Sequence, residues 1–162
     1  MKNMLVAVAM LVSVMASATS IRPDVFEAVN LYSKDIAYSF VRSMEFRNGE
    51  KIPAANRDEL FWEVRGFVLD RQLSLLCKSE ILEKWVECQR SPRMASIRKR
   101  LYAAATEKEF REIAAEKASF IRTNYPELCM DTPEYRQLMS DMVKMIRQIY
   151  AGWKQDQVDL KK

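Results

Sequence analysis

The side chains that could carry chemistry in this chain are cysteines and carboxylates, because histidine is absent. The 162 residues contain 3 cysteines, 22 aspartates and glutamates, and no histidine. Without imidazole there is no serine–histidine triad, and the most common zinc ligand besides cysteine is missing. Acid–base chemistry would fall to carboxylates, lysine or tyrosine. The 3 glycines are isolated from one another, so no glycine-rich loop could hold a phosphate group.

The carboxylates occupy positions that are typical of helix surfaces. Glu112 and Glu116 lie close in sequence to Lys108 and Lys117, and spacings of three or four residues favour ion pairs on a helix face. Nothing in the sequence marks a pair of acids that converge in a cleft, as in a glycosidase. We therefore predict no catalytic residue, no metal site, no cofactor and no enzyme activity.

The three cysteines are Cys77, Cys88 and Cys129. In an oxidising compartment this number favours one disulfide and one remaining thiol. On a continuous helix Cys77 and Cys88 would lie about 16 Å apart, which is too far for a bridge. If the chain turns back at Lys78 and Ser79, counting alternating helix directions places Cys88 and Cys129 at the same end of the bundle. A disulfide between Cys88 and Cys129 is the preferred prediction.

The N-terminus has the three parts of a secretory signal. Lys2 precedes an uncharged, mostly apolar run, and the small residues Ala16 and Ala18 form a site for a signal peptidase. We predict a signal peptide at residues 1–18 and a single helical domain at residues 19–162, located in the periplasm or secreted. The alternatives are a buried N-terminal helix, or an uncleaved segment that acts as a weak anchor and associates transiently with the inner membrane.

The remaining sequence repeats its apolar residues with the 3.6-residue period of a helix and shows no strand alternation. Helix starts are predicted at the caps Asn56 with Glu59, Ser91, Thr106 with Glu109, and Thr132 before Pro133. We predict an all-α fold, with about six helices in a small bundle after the N-terminal signal segment.

Two groups of side chains indicate a candidate partner-binding surface. The basic group is Arg93, Arg98, Lys99 and Arg100, and the methionine group is Met139, Met142 and Met145. Basic side chains attract acidic partners or anionic lipid, and methionine adapts to varied apolar partners. A solvated helix face and core filling are the structural alternatives. The basic run has no interleaved aromatic residues, which argues against binding of nucleic acid.

The stretch Ser119-Phe-Ile-Arg-Thr-Asn-Tyr125, followed by Cys129 and by a helix with Met142 and Ile146, resembles the C-terminal half of the lysis-inhibition antiholins of T-even phages. The resemblance covers residues 119–150. That family pairs a weakly apolar export segment with a small helical periplasmic domain, which binds the outer domain of a holin. The resemblance therefore implies an exported protein that binds another envelope protein.

We expect an exported, non-enzymatic helical protein that binds another envelope protein and regulates or neutralises it, as antiholins, immunity proteins and inhibitors do. A periplasmic chaperone or stress protein is the alternative, and it would need an exposed, apolar, concave surface. A small envelope hydrolase that uses carboxylates ranks last, since it would need two acids that converge in a cleft.

Overall fold

The computed structural model describes residues 21–77 and 79–159, and the predicted signal peptide lies outside these ranges. The described chain is helical without a β-strand, so the all-α prediction is confirmed. Its helices are α1 (Pro23–Asn48), α2 (Ala54–Phe67), a π-helical segment (Val68–Gln72), α3 (Leu73–Leu76), α4 (Ser79–Arg90), α5 (Pro92–Ala103), α6 (Glu107–Asn124), a 3-10 turn (Pro126–Leu128) and α7 (Pro133–Asp159). In this part of the chain, no helix combines the length and apolar character that crossing a membrane requires.

Three of the predicted helix caps are confirmed. The hydroxyl of Ser91 accepts a hydrogen bond from the backbone N–H of Met94 at 3.2 Å, and that of Thr132 accepts from the N–H of Tyr135 at 3.1 Å. Thr106 accepts from the N–H of Glu109 at 3.2 Å. These oxygens satisfy N–H groups that have no partner within the first helical turn.

The predicted cap at Asn56 is wrong, because α2 begins two residues earlier, at Ala54. Pro53 immediately precedes this helix, and its carbonyl accepts the first helical hydrogen bond from the N–H of Arg57. Proline fixes its own φ near the helical value and favours a helix start. Asn56 therefore lies within the first turn and does not cap it.

Two apolar clusters share α1. The main cluster joins α1, α2, α4 and α7 through side chains that include Val41, Val64, Trp85 and Ile146. A second cluster lies between α5 and α6 and contains Ile97, Leu101, Phe110 and Ile113, against which Tyr38 and Phe46 of α1 pack. Because α1 buries apolar side chains on two of its sides, it fixes the position of the two clusters relative to each other.

The buried carboxylate of Glu45 fixes the turn that follows α1. It accepts hydrogen bonds from the backbone N–H of Ile52 and from the guanidinium of Arg42, both at 2.9 Å, and it pairs with Arg57. Burial alone would raise the pKa of Glu45, but these hydrogen bonds and the Arg57 charge outweigh it and lower the pKa. The ionised carboxylate thus ties the start of α2 to the end of α1.

Side chains of α1 and α7 meet at two places along the helices, which run in the same direction. Tyr32 on α1 interacts with Tyr135 near the start of α7, and the side-chain amide of Asn48 donates to the hydroxyl of Tyr150 near the other end. Phe40 packs edge-on against Tyr150, with ring centroids 6.5 Å apart. A groove opens between the two helices along this length.

Candidate functional site

The candidate site is the groove between α1 and α7, with α6 at one end, and we call it the α1–α7 groove. Its volume is about 680 Å³. The lining side chains are Tyr32, Asp35, Ile36, Ser39, Phe40, Ser43, Met44 and Arg47 of α1, Lys117 of α6, and Met139, Met142, Val143, Ile146, Arg147 and Tyr150 of α7.

The α7 wall of this groove is apolar. Met142 and Ile146 are buried at its base, Met139 is half-buried, and Val143 is exposed. Spacings of three and four residues place these side chains on one face of α7. Met139 and Met142, which the sequence indicated as binding residues, therefore border the groove. Met145 instead packs against the main apolar cluster.

The charges that line the groove are mostly positive. Arg47, Lys117 and Arg147 line it together with one acid, Asp35. Arg47 and Arg147 are exposed, and neither forms an ion pair within the described ranges. Asp35 is 1% exposed and is already neutralised by other side chains. The groove therefore presents an excess of positive charge to a ligand.

Asp35 is the centre of a buried ionic cluster. Its Oδ2 accepts hydrogen bonds from Arg98 Nε at 2.9 Å and from Lys117 Nζ at 2.6 Å. Its Oδ1 accepts from the hydroxyl of Tyr102 at 2.7 Å. Arg98 also donates to the backbone and side-chain oxygens of Gln89, both at 2.6 Å. Two cations share one carboxylate, so the cluster carries a net positive charge. Asp35 and Lys117 line the groove, whereas Arg98 and Tyr102 line a separate cavity between α1, α4 and α5.

The cluster also determines the protonation of Tyr102. Burial raises the pKa of its hydroxyl, and the negative charge of Asp35 and the hydrogen bond to it raise the pKa further. Tyr102 therefore stays a neutral donor to Asp35. Every oxygen of Asp35 has a donor, which makes this carboxylate a poor general base.

The structure separates the four basic residues that the sequence grouped together. Arg98 is 5% exposed, belongs to the Asp35 cluster and does not line the α1–α7 groove. Arg93 and Arg100 both pair with Glu116, each at 2.7 Å. Lys99 is exposed. It lines a different cavity from the α1–α7 groove, one between α1, α4 and α5.

This second cavity has a volume of about 990 Å³ and carries charges of both signs. Glu27 and Arg90 form an ion pair at 2.8 Å within it, and Glu87, Lys99 and Arg98, which is paired with Asp35, also line it. Mixed charges give no clear preference for an anionic or a cationic ligand. The α1–α7 groove, with its apolar wall and its excess of positive charge, selects more strongly for one kind of ligand.

The predicted disulfide between Cys88 and Cys129 is not formed, and all three cysteines carry free thiols. Counting alternating helix directions predicts that Cys88 and Cys129 lie at the same end of the molecule. Leu128, the neighbour of Cys129, packs against the apolar cluster that contains Cys88. Cys88 is nevertheless fully buried beneath Met94 and Tyr125, whereas Cys129 is exposed. Burial raises the pKa of the Cys88 thiol to about 11.

In the described ranges no three acidic or cysteine side chains lie close enough together to hold a metal ion. Searches against known protein families, curated proteins and solved structures found no match to this chain. In the described ranges the chain is an all-α bundle with a groove lined by methionine and basic side chains.

Sequence reasoning missed Asp35, Lys117, Arg47 and Arg147, which set the electrostatics of the groove. One available signal was the spacing on α7, where Arg147 follows Val143 by four residues and so shares its helix face. No comparable sequence signal marks the groove residues of α1 and α6, because their place in the groove depends on which helices contact each other.

Proposed function

We propose that this chain is an exported, non-enzymatic helical protein that binds another envelope protein through the α1–α7 groove and thereby regulates or neutralises it. The observation that carries the proposal is the groove itself, in which an apolar methionine wall lies beside Arg47 and Arg147, and these two arginines form no ion pair within the described ranges. Apolar grooves between helices are a recurrent binding site for a helix of another protein. Methionine side chains adapt their shape to such a ligand.

The absence of enzyme activity is part of this proposal. Histidine is absent from the sequence, and the acid in the groove, Asp35, is fully engaged by Arg98, Lys117 and Tyr102. A carboxylate-dependent hydrolase needs a second acid facing the first. The local resemblance to phage antiholins in residues 119–150 favours a regulatory binder in the cell envelope.

A general chaperone is less well supported than a specific binder. Chaperones that hold unfolded chains expose broad apolar surfaces. In the described chain the exposed large apolar side chains are Trp62, Tyr102 and Val143, and Val143 is the one that borders the groove. A narrow groove flanked by cations favours a partner of defined shape and charge.

Site-specific photo-crosslinking in living cells tests the proposal. A photoreactive amino acid at position 143 should capture one envelope protein, because Val143 is 38% exposed at the edge of the groove. The matched control is the same amino acid at position 96, since Ser96 is exposed on α5, outside the groove. The proposal is contradicted if position 143 captures nothing, or if both positions capture the same set of proteins.

A further inference from the structure

We propose that the occupant of the α1–α7 groove is an acidic, amphipathic helix of the partner, about three turns long, with a carboxylate at each end of its apolar face. This inference rests on the proposed function and specifies the chemistry of the partner. It follows from the length of the groove, from the positions of its cations and from the apolar character of its middle.

The length of the groove matches about three turns of helix. Asp35 and Arg47 are the charged residues of the α1 wall and are twelve residues apart, which corresponds to about 18 Å along a helix. Met139 and Tyr150 mark the α7 wall and are eleven residues apart, or about 16 Å. Because both walls are helices that run in the same direction, a third helix can pack lengthwise between them.

Cations lie at both ends of this length. At one end Lys117 contacts Asp35, which Arg98 already neutralises, so this end carries a surplus positive charge. At the other end Arg47 and Arg147 are exposed and form no ion pair within the described ranges. Tyr150, one turn beyond Arg147, contacts Asn48, one residue after Arg47, so the two arginines belong to the same end. A carboxylate at each end of the occupant would complement both.

The middle of the groove offers little to a charged side chain. Phe40, Met142, Val143 and Ile146 supply apolar surface there. The hydroxyl of Ser43 donates to the backbone oxygen of Ser39 at 2.7 Å, so it is already satisfied within α1. The central turn of the occupant should therefore be aliphatic, because burying an unpaired polar group costs free energy.

The experiment measures binding of a designed helix to the purified full chain. The probe is a synthetic peptide of about 18 residues with leucines along one face and two glutamates about 11 residues apart. Its matched control carries glutamine at both positions. At low ionic strength the glutamate peptide should bind about fivefold or more tightly than the control peptide. High salt should remove the difference, because it screens exposed charges.

Charge reversal on the protein locates the effect. Arg147→Glu should reduce the preference for the glutamate peptide, because it offsets the charge of Arg47 at that end of the groove and leaves the Lys117 end unchanged. Lys108→Glu, an equal change at a residue whose side chain is 87% exposed and lies outside the groove, should leave the preference unchanged. The inference is overturned if the two peptides bind equally, if neither binds, or if both reversals have the same effect. It is also overturned if anionic lipid vesicles displace the glutamate peptide from the groove.

The proposed function and this inference can fail separately. If position 143 captures an envelope protein whose crosslinked segment has no carboxylate, the function stands and the acidic helix is wrong. If the glutamate peptide binds as expected but position 143 captures no protein in cells, the groove chemistry stands and the function is wrong.

Discussion

Asp35 joins three helices through the two oxygens of its carboxylate. It lies on α1, and its donors come from α5 (Arg98 and Tyr102) and α6 (Lys117). Burying charged groups costs solvation energy, which only well-formed ion pairs and hydrogen bonds offset. Here every oxygen of the carboxylate has a donor, and the same contacts hold the Lys117 ammonium at the edge of the groove.

The contribution of the Asp35 carboxylate to the stability of the fold can be measured by substitution. Asp35→Asn should destabilise the fold by about 3–5 kcal/mol, because it leaves the buried Arg98 guanidinium without a counter-ion. Asp70→Asn is the matched control, since the Asp70 side chain is 79% exposed and such surface changes stay within about 0.5 kcal/mol. Urea unfolding at neutral pH measures both. Similar losses in the two variants would contradict the structural role of Asp35.

The sequence did not identify Asp35 or the role of Arg98, and the reason is physical. Met94, Ile97 and Leu101 form the buried stripe of α5, and Arg98 occupies a position in that stripe. In the sequence, however, Arg98 stands in a run of basic residues, which is typical of a solvated face. Only the opposing carboxylate, 63 residues earlier, makes burial of the guanidinium favourable.

The second prediction concerns the thiols. At about pH 8 an alkylating reagent should modify Cys77 and Cys129 rapidly in the native protein and Cys88 slowly, because the thiolate reacts and not the thiol. Cys88 is buried with a pKa raised to about 11, whereas Cys77 and Cys129 are exposed. Peptide mapping by mass spectrometry without reductant gives the order in which the three cysteines are alkylated. Full labelling of Cys88 in urea is the control, and a peptide linking Cys88 to Cys129 would contradict the structure.

At the scale of the helices, the sequence predicted where helices begin better than it predicted irregular helical geometry. The sequence allows a turn at Lys78 and Ser79; α3 ends at Leu76 and α4 begins at Ser79, and Lys78 lies outside the described ranges. The π-helical segment at Val68–Gln72 was not predicted. Caps and prolines act within a single turn, so local sequence encodes them. A π-helical turn depends on the packing of the neighbouring side chains, which a single sequence does not show.

Two glycines, Gly49 and Gly152, should have opposite effects on stability when each is replaced by alanine. Gly49 ends α1 with a φ of +69°, and Gly152 lies inside α7, and a Cβ at either position would meet no atom within 4 Å. Gly49→Ala should destabilise the fold by about 1 kcal/mol, because the left-handed conformation is strained for alanine. Gly152→Ala should stabilise it by about 0.5–1 kcal/mol through helix propensity. Thermal unfolding should give shifts of opposite sign, and shifts of the same sign would contradict this assignment.

At the scale of the whole molecule, the apolar period predicted how many long helices there are but not how they pair. Periodicity shows which face of each helix is apolar, whereas the partner of that face depends on contacts across more than 100 residues, such as that between Asn48 and Tyr150. The sequence therefore indicated the Met139 and Met142 side of the groove, on α7. It could not indicate the α1 side, where Arg47 lies.

The N-terminal segment bears on where in the cell we expect the protein to be located. Residues 1–18, outside the described ranges, have the order of charge, apolar run and small residues that a signal peptidase recognises. We therefore expect N-terminal sequencing of protein recovered from a periplasmic fraction to begin at Thr19. Ala18→Phe should block cleavage, because the residue before the cut must be small, whereas Ser17→Phe changes the unconstrained position and should be cleaved normally. The uncleaved Ala18→Phe chain should remain with the inner membrane. Wild-type protein that keeps Met1 and sediments with the membrane would instead support a retained N-terminal anchor.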